Sequence, residues 1–183
     1  MLAELRTAYQ RDPALHGISA AEAVLYPGVW ALVTHRVASR MYRNGIPFLP
    51  RLLSQTSRLL TGIEIHPGAR IGQRCFIDHG AGVVIGETTE IGDDVSIFQG
   101  VTLGARGFWT DLKGAKRHPT IGDSVTLSVG ATVLGPVTIG SSSRIGAHAL
   151  VVADVPPDTT VSAPPSHMRG RRLNSRQPLD YQI

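Results

Sequence analysis

The sequence predicts a three-sided parallel β-helix preceded by a short helical region. Two observations carry this: a six-residue aliphatic period from Ile65 onward, and a composition rich in turn formers but poor in aromatic residues. The hexads IHPGAR, IGQRCF and IDHGAG begin at Ile65, Ile71 and Ile77. After a two-residue shift, IGETTE, IGDDVS and IFQGVT begin at Ile85, Ile91 and Ile97. The pattern resumes in phase at Ile121, Leu127, Val133, Ile139 and Ile145. A period of six is neither an amphipathic helix nor an alternating strand. It describes three short strands per coil, one aliphatic side chain pointing inward from each face and a small or β-branched residue four places later. Each coil buries its core only against its neighbours, at roughly the 4.8 Å spacing of paired strands. An ordinary β-sandwich would show period two. The 20 glycines, 12 prolines and 5% aromatic residues suit tight corners around a narrow aliphatic interior.

Residues 1–62 lack the hexads and read as helical. A first short helix should end before Asp12-Pro13. A second should run from Ala20 to Arg43, with Val29, Leu32, Val33, Val37 and Met41 at helical spacing and a stop at Asn44-Gly45. A third is expected from about Pro50 to Leu60, ending at Gly62. Residues 63–155 form the β-helix, and residues 156–183 a tail carrying Arg169, Arg171, Arg172 and Arg176. Between Leu103 and Ile121 the template fails but its phase survives, so residues 104–119 read as a loop thrown out from the prism. Loops of that length are commonly functional.

The lone cysteine, Cys75, sits at a small hexad position and reads as core. One thiol excludes an internal disulfide framework and suggests a reducing compartment. No long apolar run opens the chain, so neither a signal peptide nor a membrane span is expected, and the cytoplasm is the default. The net charge of +4 suits an anionic ligand.

Asp78-His79 places a charged pair inside the repeat. Histidine is the natural general base near neutral pH and needs a partner to fix its tautomer. Glu64 precedes His79 by nearly one full coil, so the two are expected to face each other on adjacent coils as a carboxylate–imidazole dyad.

The run from Gly62 to Gly104, with DHGAG and VIGET, resembles the serine O-acetyltransferase family and its shorter bacterial members in particular. The likeness extends through Asp12-Pro13-Ala14, His35-Arg36 and Arg117-His118-Pro119. It implies a left-handed coil, with acetyl-CoA as co-substrate, L-serine as acceptor and no metal. Carried over by position, His79 is the general base and Glu64 orients its imidazole. Asp12 and Asp78 hold the serine ammonium group, Arg117 its carboxylate, and His118 shares the pocket. Gly104, Ala105, Val129 and Ala147 fall along the track of the CoA arm. The resemblance further implies a homotrimer with pockets between subunits, a hexamer being the alternative. Family members commonly end in an isoleucine that inserts into O-acetylserine sulfhydrylase, and this chain ends at Ile183. Neither nucleic acid nor membrane is an expected partner.

Three departures stand out. The usual Gly-Gly-Thr-Gly-Lys stretch reads Gly104-Ala105-Arg106-Gly107 inside a longer loop containing Phe108 and Trp109. His148 replaces a usual glycine. The usual Gly-Val-Pro-Ala-Arg segment becomes Ser162-Ala163-Pro164-Pro165-Ser166. These keep open a different acceptor, homoserine-like or a sugar, although paired charges favour an amino acid. A zinc enzyme using His66, His79, His118 or His148 and a non-catalytic scaffold are the remaining readings.

Overall fold

A computed structural model describes residues 2–15, 20–107 and 115–164. Phe108, Trp109, the tail arginines and Ile183 lie outside the described residues.

Helix α1 (Leu2–Arg11) stops before Asp12-Pro13. The single helix expected from Ala20 to Arg43 is instead divided into a 3-10 helix, Ala20–Leu25, and α2 (Pro27–Arg43). The reason is local. Tyr26 precedes proline, which disfavours the α region, and it adopts φ −68° and ψ 121°. Proline then starts the next helix without wasting a donor. Helix α2 ends at Asn44, followed by Gly45 at φ 74°, and α3 (Leu49–Thr61) ends on Gly62 at φ 72°.

Among the described residues fourteen short strands follow, wound into three parallel sheets. Sheet A stacks β1 (Glu64–Ile65), β4 (Val84–Ile85), β7 (Thr102–Gly104), β10 (Thr132–Leu134) and β13 (Leu150–Val151). Sheet B stacks β2 (Arg70–Ile71), β5 (Glu90–Ile91), β8 (Thr120–Ile121) and β11 (Thr138–Ile139). Sheet C stacks β3 (Phe76–Ile77), β6 (Ser96–Ile97), β9 (Thr126–Leu127), β12 (Arg144–Ile145) and β14 (Thr160–Val161). The chain is thus a left-handed parallel β-helix. Because β14 pairs with β12, the coil continues past residue 155, where the hexads had suggested it stops.

The hexad openers form the inward columns. Ile65, Ile85, Leu103, Val133 and Val151 come from sheet A, Ile71, Ile91, Ile121 and Ile139 from sheet B. Ile77, Ile97, Leu127 and Ile145 come from sheet C, and all of these are buried. Register explains both irregularities of the repeat. The first coil pairs Glu64 with Val84 and is longer than the next, which pairs Val84 with Thr102, because Asp78–Gly82 carries a short insertion at its corner. The third coil pairs Thr102 with Thr132. The 104–119 loop therefore lengthens an otherwise normal coil by a whole number of hexads, and the phase is preserved.

The helical region is anchored to the first coils. Arg36 donates to the carbonyls of Ile71 and Gly72 and pairs with Glu4 at 3.5 Å. Ser54 Oγ donates to the Ile65 carbonyl at 2.7 Å. Phe76 packs outward from β3 against Ala8, Leu15, Ala23 and Val29. His35 is buried beneath α2, and burial, reinforced by Arg36 and opposed by its bond to the Ala69 backbone, lowers its pKa to about 4. Below the unfolded value near 6.5, the unfolded chain takes a proton that folded His35 refuses. Stability should therefore fall from about pH 7 to about pH 4, by roughly 3 kcal/mol from this residue. Urea unfolding across that range should show a shallower pH slope for His35→Gln than for wild type.

Candidate active site

The predicted site residues collect at two corners of the prism, one on either side of sheet A. The corner between sheets C and A carries Asp78 and His79 on the first coil, Val129 on the third and Ala147 on the fourth. The corner between sheets A and B carries Gly104, Ala105, Arg117 and His118. Hydrogen bonds stack the first corner coil upon coil: Gly100 N to Ala81 O, Gly130 N to Gln99 O and His148 N to Val129 O, at 2.9, 2.9 and 2.8 Å.

His79 has φ 56°. The corner residues Arg74, Asp94, Ser124, Ser142 and Asp158 share that left-handed backbone, so it belongs to the fold rather than to special strain. Its side chain is 73% exposed, and its Nε2 lies 3.9 Å from Asp78 Oδ1. The expected dyad with Glu64 is not formed. Glu64 pairs with Arg58 at 3.3 Å, and among the described residues Asp78 is the carboxylate that pairs with His79.

Asp12 follows α1, which packs against β3, the strand that leads into Asp78. Asp12 Oδ1 accepts from Ala14 N at 2.8 Å, and its Oδ2 accepts from the Tyr26 hydroxyl. Tyr26 was not signalled by the repeat or by any motif. Its one sequence cue is its place before Pro27.

At the second corner, VIGET and the Arg-His-Pro run meet across the coil. Thr88 N donates to His118 Nδ1 at 3.1 Å, which places the neutral ring's proton on Nε2. Thr88 Oγ1 accepts from the backbone N–H groups of Arg117 and His118, at 3.0 and 3.1 Å. Glu87 receives Arg117 Nη2 and the Tyr42 hydroxyl. Burial pushes the Glu87 carboxyl up, but Tyr42, His66 and Arg117 outweigh it and hold the pKa below the usual value. Gly86 is required because a Cβ there would stand 1.9 Å from the His118 ring. Glu87 and Thr88 thus orient the predicted acceptor residues, a role visible in sequence only as polar letters in a motif.

His148 folds its ring over Gly130, where a Cβ would lie 2.5 Å from its Nδ1. The four histidines considered for zinc are scattered: His66 Nδ1 accepts from Gly68 N at 3.0 Å, while His118 holds Thr88. Among the described residues no three His, Cys, Asp or Glu side chains are grouped to hold a metal ion.

Comparison with known proteins places this arrangement. No family model matches the chain. It is 50% identical over 182 residues to serine acetyltransferase of Synechococcus elongatus, covering 99% of this chain and 72% of that protein. The solved Neisseria gonorrhoeae serine acetyltransferase in complex with serine superposes with a TM-score of 0.80 at 38% identity, over 91% of this chain and 66% of that one. The Brucella abortus serine acetyltransferase in complex with coenzyme A gives 0.82 at 35% identity, over 91% and 64%. The chain therefore spans just under two thirds of these two solved chains. The chain is therefore an acyltransferase built on a parallel coil. Within that class, the chain belongs to the serine acetyltransferase family.

Proposed function

We propose that the protein transfers the acetyl group of acetyl-CoA to the hydroxyl of L-serine, giving O-acetylserine for cysteine biosynthesis. The observation that carries this is the division of the site residues between two corners flanking sheet A: a base with carboxylates on one, a guanidinium and an imidazole on the other. A zwitterionic acceptor needs both an anionic and a cationic anchor, and guanidinium grips a carboxylate in bidentate fashion. Asp12 and Asp78 would take the ammonium group and Arg117 the carboxylate, with His118 beside it. Glu87 engages one Arg117 nitrogen and leaves other N–H donors for the acceptor.

His79 takes the proton of the serine hydroxyl as its oxygen attacks the thioester carbonyl. The C–O bond forms, the tetrahedral intermediate collapses, the C–S bond breaks, and His79 returns the proton to the CoA sulfur. Asp78 Oδ1 lies 3.9 Å from that imidazole's Nε2. Glu64, expected to orient that ring, would do so only on leaving Arg58. Gly104 and Ala105 on one corner, with Val129 and Ala147 on the other, would line the CoA arm.

On this reading the site is shared between chains, since neither corner alone holds every group. Sheet A exposes Val84 and Leu150 on its outer face, 37% and 63% exposed, with Val152 just beyond its last strand. Apposing that face on neighbouring subunits would bring one chain's His79 corner against the next chain's Arg117 corner. We take the assembly to be the homotrimer that the family resemblance implies. No described helix is long and apolar enough to cross a membrane, and a cytoplasmic location fits a buried, unpaired Cys75. Binding of O-acetylserine sulfhydrylase through Ile183 belongs to the same reading.

The test is CoA release from acetyl-CoA with L-serine, compared with homoserine and an aminosugar. Turnover with serine is expected. A rate independent of added serine overturns the assignment, and turnover confined to homoserine moves the acceptor.

A further inference from the structure

We propose that Tyr26 is a positioning residue for the acceptor, its phenol locking the Asp12 carboxylate so that Asp12 and Asp78 together receive the acceptor's ammonium group. The proposal rests on the acceptor reading above and adds a residue from outside the coil.

Tyr26 is held by its backbone before its side chain is considered. Pro27 restricts it to the extended conformation in which it is found. Just beyond it, Gly28 lies directly on β3, where a Cβ would stand 2.2 Å from the Ile77 carbonyl oxygen. Ile77 immediately precedes Asp78, so the start of α2 and the catalytic corner share one backbone contact. No flexible linker intervenes between Tyr26 and Asp78.

Asp12 is held as firmly from the other side. Arg11 donates to the Asp94 carbonyl at 3.1 Å and to Ser96 Oγ at 2.7 Å, and pairs with the Asp94 carboxylate at 3.1 Å. This fixes the end of α1 to the second coil. With Oδ1 on Ala14 N and Oδ2 on the Tyr26 hydroxyl, the Asp12 carboxylate cannot rotate freely.

The phenol also remains a donor. The Asp12 hydrogen bond, burial, and the nearby charges of Asp12, Asp78 and Glu22 raise the Tyr26 pKa to about 12. Asp78 lies close enough for its charge to act on the phenol. A phenol O–H given to one of the two carboxylates favours its ionised form beside the other, and an ammonium group needs that pair charged.

The test is Tyr26→Phe, which removes one oxygen. The expected result is an increase of about tenfold in KM for L-serine, the loss of one hydrogen bond to a charged group. Unchanged kcat, KM for acetyl-CoA and thermal midpoint should accompany it. With 3-hydroxypropionate, which has the hydroxyl and carboxylate but no ammonium, wild type and variant should have equal KM. An unchanged KM for serine overturns the proposal, as does an equal loss with 3-hydroxypropionate or a lowered thermal midpoint with every parameter shifted. Failure of the wild type to acetylate serine would be failure of the acceptor reading instead. Calorimetric titration of L-serine would then decide: binding about tenfold weaker to Tyr26→Phe upholds the role, and equal or absent binding overturns it.

Discussion

His79→Ala should lower turnover of serine and acetyl-CoA by roughly 10²–10⁴-fold while the coil stays folded, because a positioned general base contributes about that much. The side chain is largely exposed, so its loss leaves no cavity. His79 does occupy a left-handed corner with φ 56°, where alanine is less at ease than histidine or asparagine. His79→Asn is therefore the companion variant: it keeps a side chain suited to that backbone and lacks a base of the right strength. Both should be inactive, with circular dichroism and thermal midpoints close to wild type. Retention of more than a tenth of the wild-type rate by both would remove His79 from the chemistry.

Mixing two inactive variants should restore activity. If the His79 corner of one chain works with the Arg117 corner of its neighbour, a subunit carrying Arg117→Ala still offers His79. A subunit carrying His79→Ala still offers Arg117. Random reassembly at equal amounts would make roughly a quarter of the shared sites fully native. The regained rate should approach that fraction of wild type, after the two variants are unfolded and refolded together. Arg117→Ala alone should act chiefly on serine, since it removes the carboxylate anchor and strands Glu87, whose charge it balances. No recovery on mixing would place the complete site within a single chain. It would then be necessary to explain how two corners separated by sheet A converge.

Much of the fold was legible because a β-helix is periodic. Each hexad states locally which side chain points inward, and neighbouring coils repeat the statement, so few distant contacts need be guessed. The helix boundaries at Arg11, Asn44 and Gly62 followed from proline and glycine for equally local reasons. The helix break at Tyr26 had the same kind of signal, a residue before proline, but the apolar spacing on either side masked it. The coil's continuation to β14 was hidden because Val155 follows Val151 by four residues rather than six, which shifts the phase of the repeat.

The site divides along the same line. Residue types and motif letters determined the chemistry on offer: an imidazole base, carboxylates, a guanidinium and a glycine-rich coil. Spacing alone did not show that Glu64 pairs with Arg58, a contact to α3 that no repeat encodes. Only the tertiary structure assigned Glu87 and Thr88 to Arg117 and His118, and Tyr26 to Asp12, since those contacts join segments whose relative placement no repeat encodes. Winding into coils brings VIGET and the Arg-His-Pro run together, whereas helix packing brings Tyr26 to the corner. The sequence by itself determined the repeating core, because aliphatic burial there is local and self-consistent. The tertiary structure decided which polar groups meet, because a hydrogen bond depends on distances of a few ångströms that a six-residue period does not specify.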